Sequence, residues 1–555
     1  MLSALGEAGS ARFNFEESQS LNEAGVLFLL PALLSQGLLK TRNVYKLSPK
    51  DYYGIESVVL TLSFMALMRI KNPEQLKLCK PGEIGRMIGL DRIPEVTCLR
   101  KKIKILSQQH QANNLNNLLI KEWYNDDFKD DAEFLYIDGH NRIYYGEKAN
   151  LPSKYISRQK LCLSATTEYW VHDAKGMPVM MVFGELTEKL QTIIKDKIIP
   201  QLFQSGLLSN DKINEDKPQC TFIFDREAYE PRFFNYLWIS YRIAIITYRK
   251  NVHDNWNENL FKSNNVFVLG HSVNMNICEQ NTVLGGYSFR EIRKLNSGGH
   301  QTSIITNHPT LETSIASGRM FGRWCQENFF KYLISDYDFD KMITFGVESI
   351  DINKQIVNPE YRKVNYKLKK LREKIQRLEA KFFPLIQQAM DENIDLLPKI
   401  TNKQMEYKTL VDTYKKQETD LVNIRSKLKP KITLSQMPEQ NRYNKLKTES
   451  KLLMNVIKMI CFRAESAVAS LITPYFNRAG DEKHMVVKQI IKTNADIIPD
   501  YDKNTLTISL HSLPALRFNV AAKNLCELLN DTETVFPCTN LKMIFKTADF
   551  SNYEK

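Results

Sequence analysis

Residues 134–139, FLYIDG, and 220–225, CTFIFD, are short apolar runs that each lead into an aspartate. What lies between them decides the fold class. Each reads as a buried strand meeting a polar edge, because β-branched and aromatic residues in a run of four to six fit a pleated, covered surface. NRIYYG (141–146), LCLSATTEYWVHDAKG (161–176) and PVMMVFGE (178–185) follow the first run. Gly139, Gly146 and the stretch 173–176 read as turns, so the segment is expected to be an antiparallel meander. From Thr187 to Phe203 the pattern changes to helical, with Leu190, Ile193, Ile194, Ile198 and Ile199 on one side. After CTFIFD, a helix carrying Phe233, Phe234, Tyr236, Leu237 and Trp238 leads to a last strand, IAIITY, starting at Ile243. The order is three strands, helix, strand, helix, strand, and the class is α/β.

On the N-terminal side, residues 1–130 read as helical, with apolar positions at three and four spacing through 21–39 and 53–70. Residues 83–106 offer a short helix, a turn at Gly89 and a second helix opened by Pro94 that carries Arg100, Lys101, Lys102 and Lys104. A helix-turn-helix meeting DNA and an ordinary helical hairpin with a solvated basic face both fit that spacing. Beyond the 131–250 core, 251–312 is a polar, β-leaning insertion, and 313–350 turns helical again around GRWCQENFFKYL (322–333). In 351–435 two charged segments carry apolar stripes. Val364, Leu368, Leu371, Ile375, Leu378 and Phe382 form the first, and Tyr407, Leu410, Tyr414, Leu421, Ile424 and Leu428 the second. That periodicity predicts a helical hairpin or coiled coil. Between Glu360 and Lys381 nine basic residues face three acidic ones, which suits a polyanion or simply a solvated helix face. Residues 436–555 open with a further helix and return to strand-like patches such as TLTISL (505–510), which the pattern does not place.

The chain has 555 residues and 64.5 kDa, with 76 Lys and Arg against 63 Asp and Glu, a net charge of +13. At 43% hydrophobic and 25% charged it is a folded multidomain protein, which excludes a disordered, collagenous or disulfide-scaffold chain. The longest apolar stretches, 26–34 and 58–68, fall short of a membrane span and read as buried helices. Nine scattered cysteines without a CxxC pair read as reduced thiols rather than a zinc site. No basic leader precedes a short apolar run near Met1, so the expectation is a cytoplasmic protein with no membrane partner. No phosphate-cradling GxxxxGK[ST] loop occurs, so nucleotide hydrolysis is not expected.

Asp138 and Asp225 follow two strand runs, so strands lying side by side would bring both carboxylates out at one end, and Glu327 lies on the helix after the insertion. Carboxylates gathered this way make an oxygen-ligand site for hard divalent ions that also hold phosphate oxygens. Two such ions can clamp the attacking and leaving oxygens of a phosphodiester displacement. Taken singly, each acid is more often a turn or cap residue; the ordered set is what points to chemistry.

YIDGHNRIYYG, LPSKYISRQKLCLSATTEYWV, FIFDREAYEPRFF and RWCQENFFKYL resemble the DDE transposases of bacterial insertion sequences, chiefly over 136–332 and more faintly in GLDRIPEVTCLRKK. The resemblance implies an RNase H-like mixed sheet with a β-rich insertion, flanked by a helical N-terminal and a helical or coiled-coil C-terminal region. It implies Asp138, Asp225 and Glu327 as a triad binding Mg²⁺ or Mn²⁺, two ions in all. Arg323 and Glu327 match the RxxxE part of a signature whose tyrosine and lysine are here Met320 and Ile334. Lys331, one turn past Glu327, stands in for that lysine. Trp324 reads as a core residue, with base stacking the alternative. Arg226, with Glu227 beside it, either contacts a phosphate and holds a water or forms a surface ion pair. His140 and Arg142, and Lys154, Arg158 and Lys160 after them, are expected to face DNA phosphates, as are Arg100 and Lys101.

The expected function is transposition. The enzyme would cut phosphodiesters at its element's inverted repeats and transfer the 3′-OH into target DNA, as a homodimer or larger oligomer on DNA, in a bacterial, nucleoid-associated setting. A metal-dependent nuclease without strand transfer and a domesticated, non-catalytic DNA-binding regulator are the alternatives.

Overall fold

The computed structural model describes all residues except 1–8, 126–128, 157–158, 186–187, 212–216, 269–270, 324–331, 340–345, 392–396, 476–481 and 549–555, and only the backbone at 129, 382–391 and 397–404. Two compact units emerge: 1–143, 165–346 and 447–555 form one, and 144–164 with 347–446 the other. The fold is mixed α/β.

The first unit opens with helices α1 (Leu30–Ser35), α2 (Ile55–Leu67), α3 (Pro81–Met87), α4 (Val96–Ser107) and α5 (Ala112–Trp123). The two apolar stretches near its start are buried: Leu27 to Leu30 and most of α2 are shielded from solvent. Between α3 and α4 the chain turns at Gly89, whose φ of +69° suits a residue without a Cβ. Gly85 is needed for a different reason, since a Cβ there would lie 2.6 Å from the Cα of Arg92. Among the described residues no single helix is long and apolar enough to cross a membrane.

The sheet follows: β1 (Phe134–Ile143), β2 (Leu161–His172), β3 (Pro178–Gly184), helix α6 (190–204), β4 (Cys220–Phe224), α7 (Pro231–Tyr241) and β5 (Ile243–Tyr248). Then come β6 (Lys262–Val268), β7 (His271–Leu284), β8 (Tyr287–Leu295) and β9 (Gln301–Thr306). The lateral order is β3-β2-β1-β4-β5-β9-β8-β7-β6. β3, β2 and β1 pair antiparallel, β1 with β4 and β4 with β5 parallel, and the four insertion strands continue the same sheet antiparallel. The expected order of three strands, helix, strand, helix, strand is present, with one correction. FLYIDG and NRI are a single strand. Antiparallel pairing with β2 runs on from Asp138↔Trp170 to Ile143↔Ala165, and Gly139 sits in the ladder opposite Tyr169 rather than in a turn. A Cβ at Gly139 would lie 2.8 Å from the Tyr169 ring, so the glycine makes room for an aromatic crossing the strand. The reading of 173–176 as a turn holds: Gly176 has φ +79° and Asp173 Oδ1 accepts from the backbone N–H of Lys175 and Met177.

After β9, α8 (Thr313–Phe321) packs on β6; a Cβ on Gly318 would stand 2.5 Å from the carbonyl oxygen of Phe267. α9 (Glu449–Ile472) is buried along nearly its whole length and touches α1, α2, α4, α5 and β3. It is buried on all sides, with Lys451, Lys458, Arg463 and Glu465 among the covered residues, and is the axis of the unit. α10 (Glu482–Lys492), β10 (Ala495–Asp500), β11 (Thr505–Leu510), α11 (Leu516–Asn530) and β12 (Lys542–Thr547) complete it. TLTISL is β11, paired with β10 and β12, and the outer strand of that sheet is Ser18–Leu21 from the other end of the sequence, antiparallel to β10.

In the second unit, helices Pro359–Asp391 and Leu397–Lys427 form an antiparallel hairpin whose seam buries Leu368, Leu371 and Ile375. Ion pairs Arg372–Glu418 (2.7 Å) and Lys415–Glu379 (3.1 Å) cross it. Short strands Gln355–Val357 and Lys431–Thr433 pair at its base, as do Val347–Ser349 and Asn444–Leu446, and Ser153–Ile156 pairs with 161–164.

Candidate active site

Parallel pairing of β1 with β4 ends at Ile137↔Phe224, so the next residues, Asp138 and Asp225, stand side by side where the two neighbouring strands part. The apolar runs of both strands finish at the same level: Phe134–Ile137 and Cys220–Phe224 are buried throughout, and an aspartate follows each run. Asp138 lies within β1, half-buried, where the antiparallel ladder with β2 continues. Asp225 follows the last residue of β4 and is more exposed; its Oδ1 accepts from the N–H of Arg226 at 2.6 Å, capping the single 3₁₀ turn Arg226–Ala228.

Arg323 approaches from the end of α8, with Nη2 4.0 Å from Asp225 Oδ2. Its Nη1 is buried and makes no hydrogen bond among the described residues. α8 is held against the insertion by close packing, since a Cβ on Gly322 would come within 2.7 Å of Val268 Cγ1. Met320, at the position of the signature tyrosine, is fully buried among Ile246, Val266, Ile292 and Ile304. Burial pushes the Asp138 carboxyl above the usual acid range; Arg323 works against this and the charges of Asp225 and Glu227 add to it. Tyr248 is likewise raised by burial, with Arg323 opposing and Asp225 adding. His172 is stacked on Tyr136 at 5.3 Å, and burial lowers it to about 4, so the ring is neutral at physiological pH.

Glu227 lies two residues beyond Asp225, within the 3₁₀ turn that Asp225 caps, and the hydroxyl of buried Tyr169 donates to its Oε1 at 2.9 Å. The Tyr169 ring lies over Gly139 and Gly184 on the two flanking strands, where any Cβ would stand under 3 Å from it. Tyr169 carries no signal of its own in the sequence; only the register with Gly139 reveals it.

The other expected residues are dispersed. Arg226 is exposed, its guanidinium 5.7 Å over the Tyr248 ring. His140 is half-buried in β1 opposite Glu168. Arg142 is a correction: it is 5% exposed and paired with buried Glu168 at 2.5 Å, with Lys451 on the same carboxylate at 3.1 Å, so its charge is turned into the protein. Arg100 on α4 is ion-paired with Glu74, Lys101 is exposed, and neighbouring Lys102 is buried against Asp51. Glu327, Lys331 and Trp324 lie outside the described residues. Among the described residues no three His, Cys, Asp or Glu side chains stand together at metal-ligand spacing. Asp138 and Asp225 nevertheless fit a hard divalent cation in kind, being adjacent oxygen donors.

A family model described as Transposase protein matches residues 1–549. A cryo-EM structure of a piggyBac transposase synaptic complex with hairpin DNA is similar over 87% of this chain and 88% of that one, at 10% identity and a TM-score of 0.27. No curated protein matches.

Proposed function

The chain belongs to the transposase protein family that its residues 1–549 match, and from that membership we propose that it is a DNA transposase of the DDE type with an RNase H-like catalytic core. It cuts phosphodiester bonds at the ends of its element and directs the freed 3′ hydroxyl onto target DNA, with two copies bringing the two ends together. The order β3-β2-β1-β4-β5, antiparallel and then parallel, supports that core. The observation that carries the reading is the Ile137↔Phe224 register, which sets Asp138 beside Asp225 with Arg323 close by.

Asp138 and Asp225 would hold Mg²⁺ or Mn²⁺ where the strands part, with Glu327 as the third acid. When bound, such ions stabilise negative charge on the phosphate oxygens in displacement. Arg323 neutralises the site from the other side, and its Nη1–H, which has no hydrogen-bond partner among the described residues, is a donor suited to a phosphate oxygen. Tyr169 keeps the Glu227 carboxylate at the rim of the same site. Arg226, exposed beside Asp225, adds a cation on the DNA side.

The test uses purified protein, the DNA flanking its gene as labelled substrate, and Mg²⁺. Wild type is expected to cut at the element boundary and join the ends to a target plasmid. Asp225→Ala is expected to bind the ends within about twofold of wild type and to cut at least 10²-fold more slowly, in the range that losing a transition-state group costs. Binding without cutting by wild type would mark a regulator, and cutting without joining a nuclease.

A further inference from the structure

We infer that one face of the first hairpin helix, Pro359–Asp391, is a contact surface for the phosphate backbone of duplex DNA, an inference that rests on the transposase reading for the identity of the polyanion. The charge of the chain is concentrated there. The unit made of 144–164 and 347–446 contains 25 Lys and Arg against 14 Asp and Glu, a net +11 out of +13 for the whole protein. The larger unit is close to neutral.

Within the helix the charges are ordered. Lys363, Lys367, Lys370, Lys374, Arg377 and Lys381 recur at spacings of four and three, so they form one stripe, and all six are exposed. The stripe lies to the side of the apolar seam of Leu368, Leu371 and Ile375, so hairpin packing leaves it open. Acidic residues are drawn elsewhere: Glu379 pairs with Lys415 and Glu418 with Arg372 across the seam, and among the described residues only Glu373 reaches the stripe, at Lys370 (3.2 Å). Lys363, Lys367, Arg377 and Lys381 make no ion pair among the described residues.

A solvated helix face usually mixes signs, because like charges three and four apart destabilise a helix. A stripe of one sign is stabilised when a polyanion lies along it. From 363 to 381 the stripe is about 27 Å long at 1.5 Å per residue, or about eight base-pair steps of 3.4 Å. It offers no array of aromatic or amide side chains for reading bases, so its contribution is sequence-independent affinity and orientation.

The experiment measures binding of the full chain to an element-end duplex and to an unrelated duplex by fluorescence anisotropy between 50 and 300 mM salt. A Lys363→Ala, Lys367→Ala, Arg377→Ala variant is expected to reduce the slope of log K against log salt by about 2.7, from about 0.9 per lost phosphate contact, on both duplexes. A control with the same charge loss in the other unit, Lys121→Ala, Lys523→Ala, Lys546→Ala, is expected to keep the wild-type slope. An unchanged slope in the stripe variant, or an equal fall in the control, would overturn the inference. So would an unchanged slope with altered self-association by light scattering, which would make the stripe a contact between copies. Wild-type protein that binds neither duplex would instead defeat the transposase reading.

Discussion

At Asp138, burial and the charges of Asp225 and Glu227 act in one direction and Arg323 in the other, and the carboxyl is left with a raised pKa. An acid whose folded pKa is raised holds its proton more tightly in the folded state. Its penalty therefore appears as pH climbs past the ordinary value of 3.8, grows up to the folded pKa, and is constant above it. At neutral pH without divalent metal, Asp138→Asn is expected to raise Tm by roughly 1–3 °C, while abolishing cutting. Scanning calorimetry checks this, and a lower Tm for the variant would mean that the carboxylate is stabilised by its surroundings. The same arithmetic explains why Asp138 was legible and Tyr169 was not. An aspartate after an apolar run announces itself by being out of character with its neighbours, whereas a tyrosine in a strand is ordinary until the glycine opposite it is known.

At the scale of elements, α9 concentrates the buried charge. Glu465, fully buried, accepts from Arg69 at 2.8 and 3.0 Å and from the hydroxyls of Tyr332 and Tyr337, with Nδ1 of His484 at 3.7 Å. Burial would raise the carboxyl, but Arg69 and these donors outweigh it and hold it at about 2. A depressed acid contributes stability above its unfolded value of 4.5, and that contribution is lost as pH falls toward 2. Glu465→Ala leaves Arg69 buried with, among the described residues, only the longer ion pair to Asp336 at 3.6 Å, and is expected to cost about 3–5 kcal/mol in a denaturant titration at pH 7. A loss under 1 kcal/mol would show that the cluster is relaxed by water. Lys458 on the same helix is lowered to about 7 by burial and by Lys451. Lys458→Met is accordingly expected to stabilise the protein most below pH 7 and to lose that advantage as pH rises to 10.5, the unfolded value. A helix over 440–475 was legible from its apolar periodicity. Its role as the axis of a unit was not, because Lys451, Lys458, Arg463 and Glu465 read as surface charges until their partners at 69, 168 and 338 are seen.

For the whole molecule, legibility followed sequence distance. Strands β1 to β5 are near neighbours in sequence and pair largely in the order their patterns suggest. The sheet that unites Ser18–Leu21 with β10, β11 and β12 joins residues over 470 apart, as in Ser18↔Ile497, and no local period encodes such a pairing. The hairpin was readable because its stripe of apolar residues and its stripe of cations share one helical period. If two element ends are held together, light scattering of the protein on paired-end DNA is expected to give at least two copies per complex; a single copy would confine the protein to acting on one end at a time. The central claim is that Asp138 and Asp225 work as one metal-holding pair, and the most direct measurement is a metal switch. Asp138→Cys and Asp225→Cys, assayed for end cleavage, are expected to be inactive in Mg²⁺ and to recover activity in Mn²⁺, because a thiolate is a poor ligand for the harder ion and a better one for the softer. Full activity of either variant in Mg²⁺ would contradict the account.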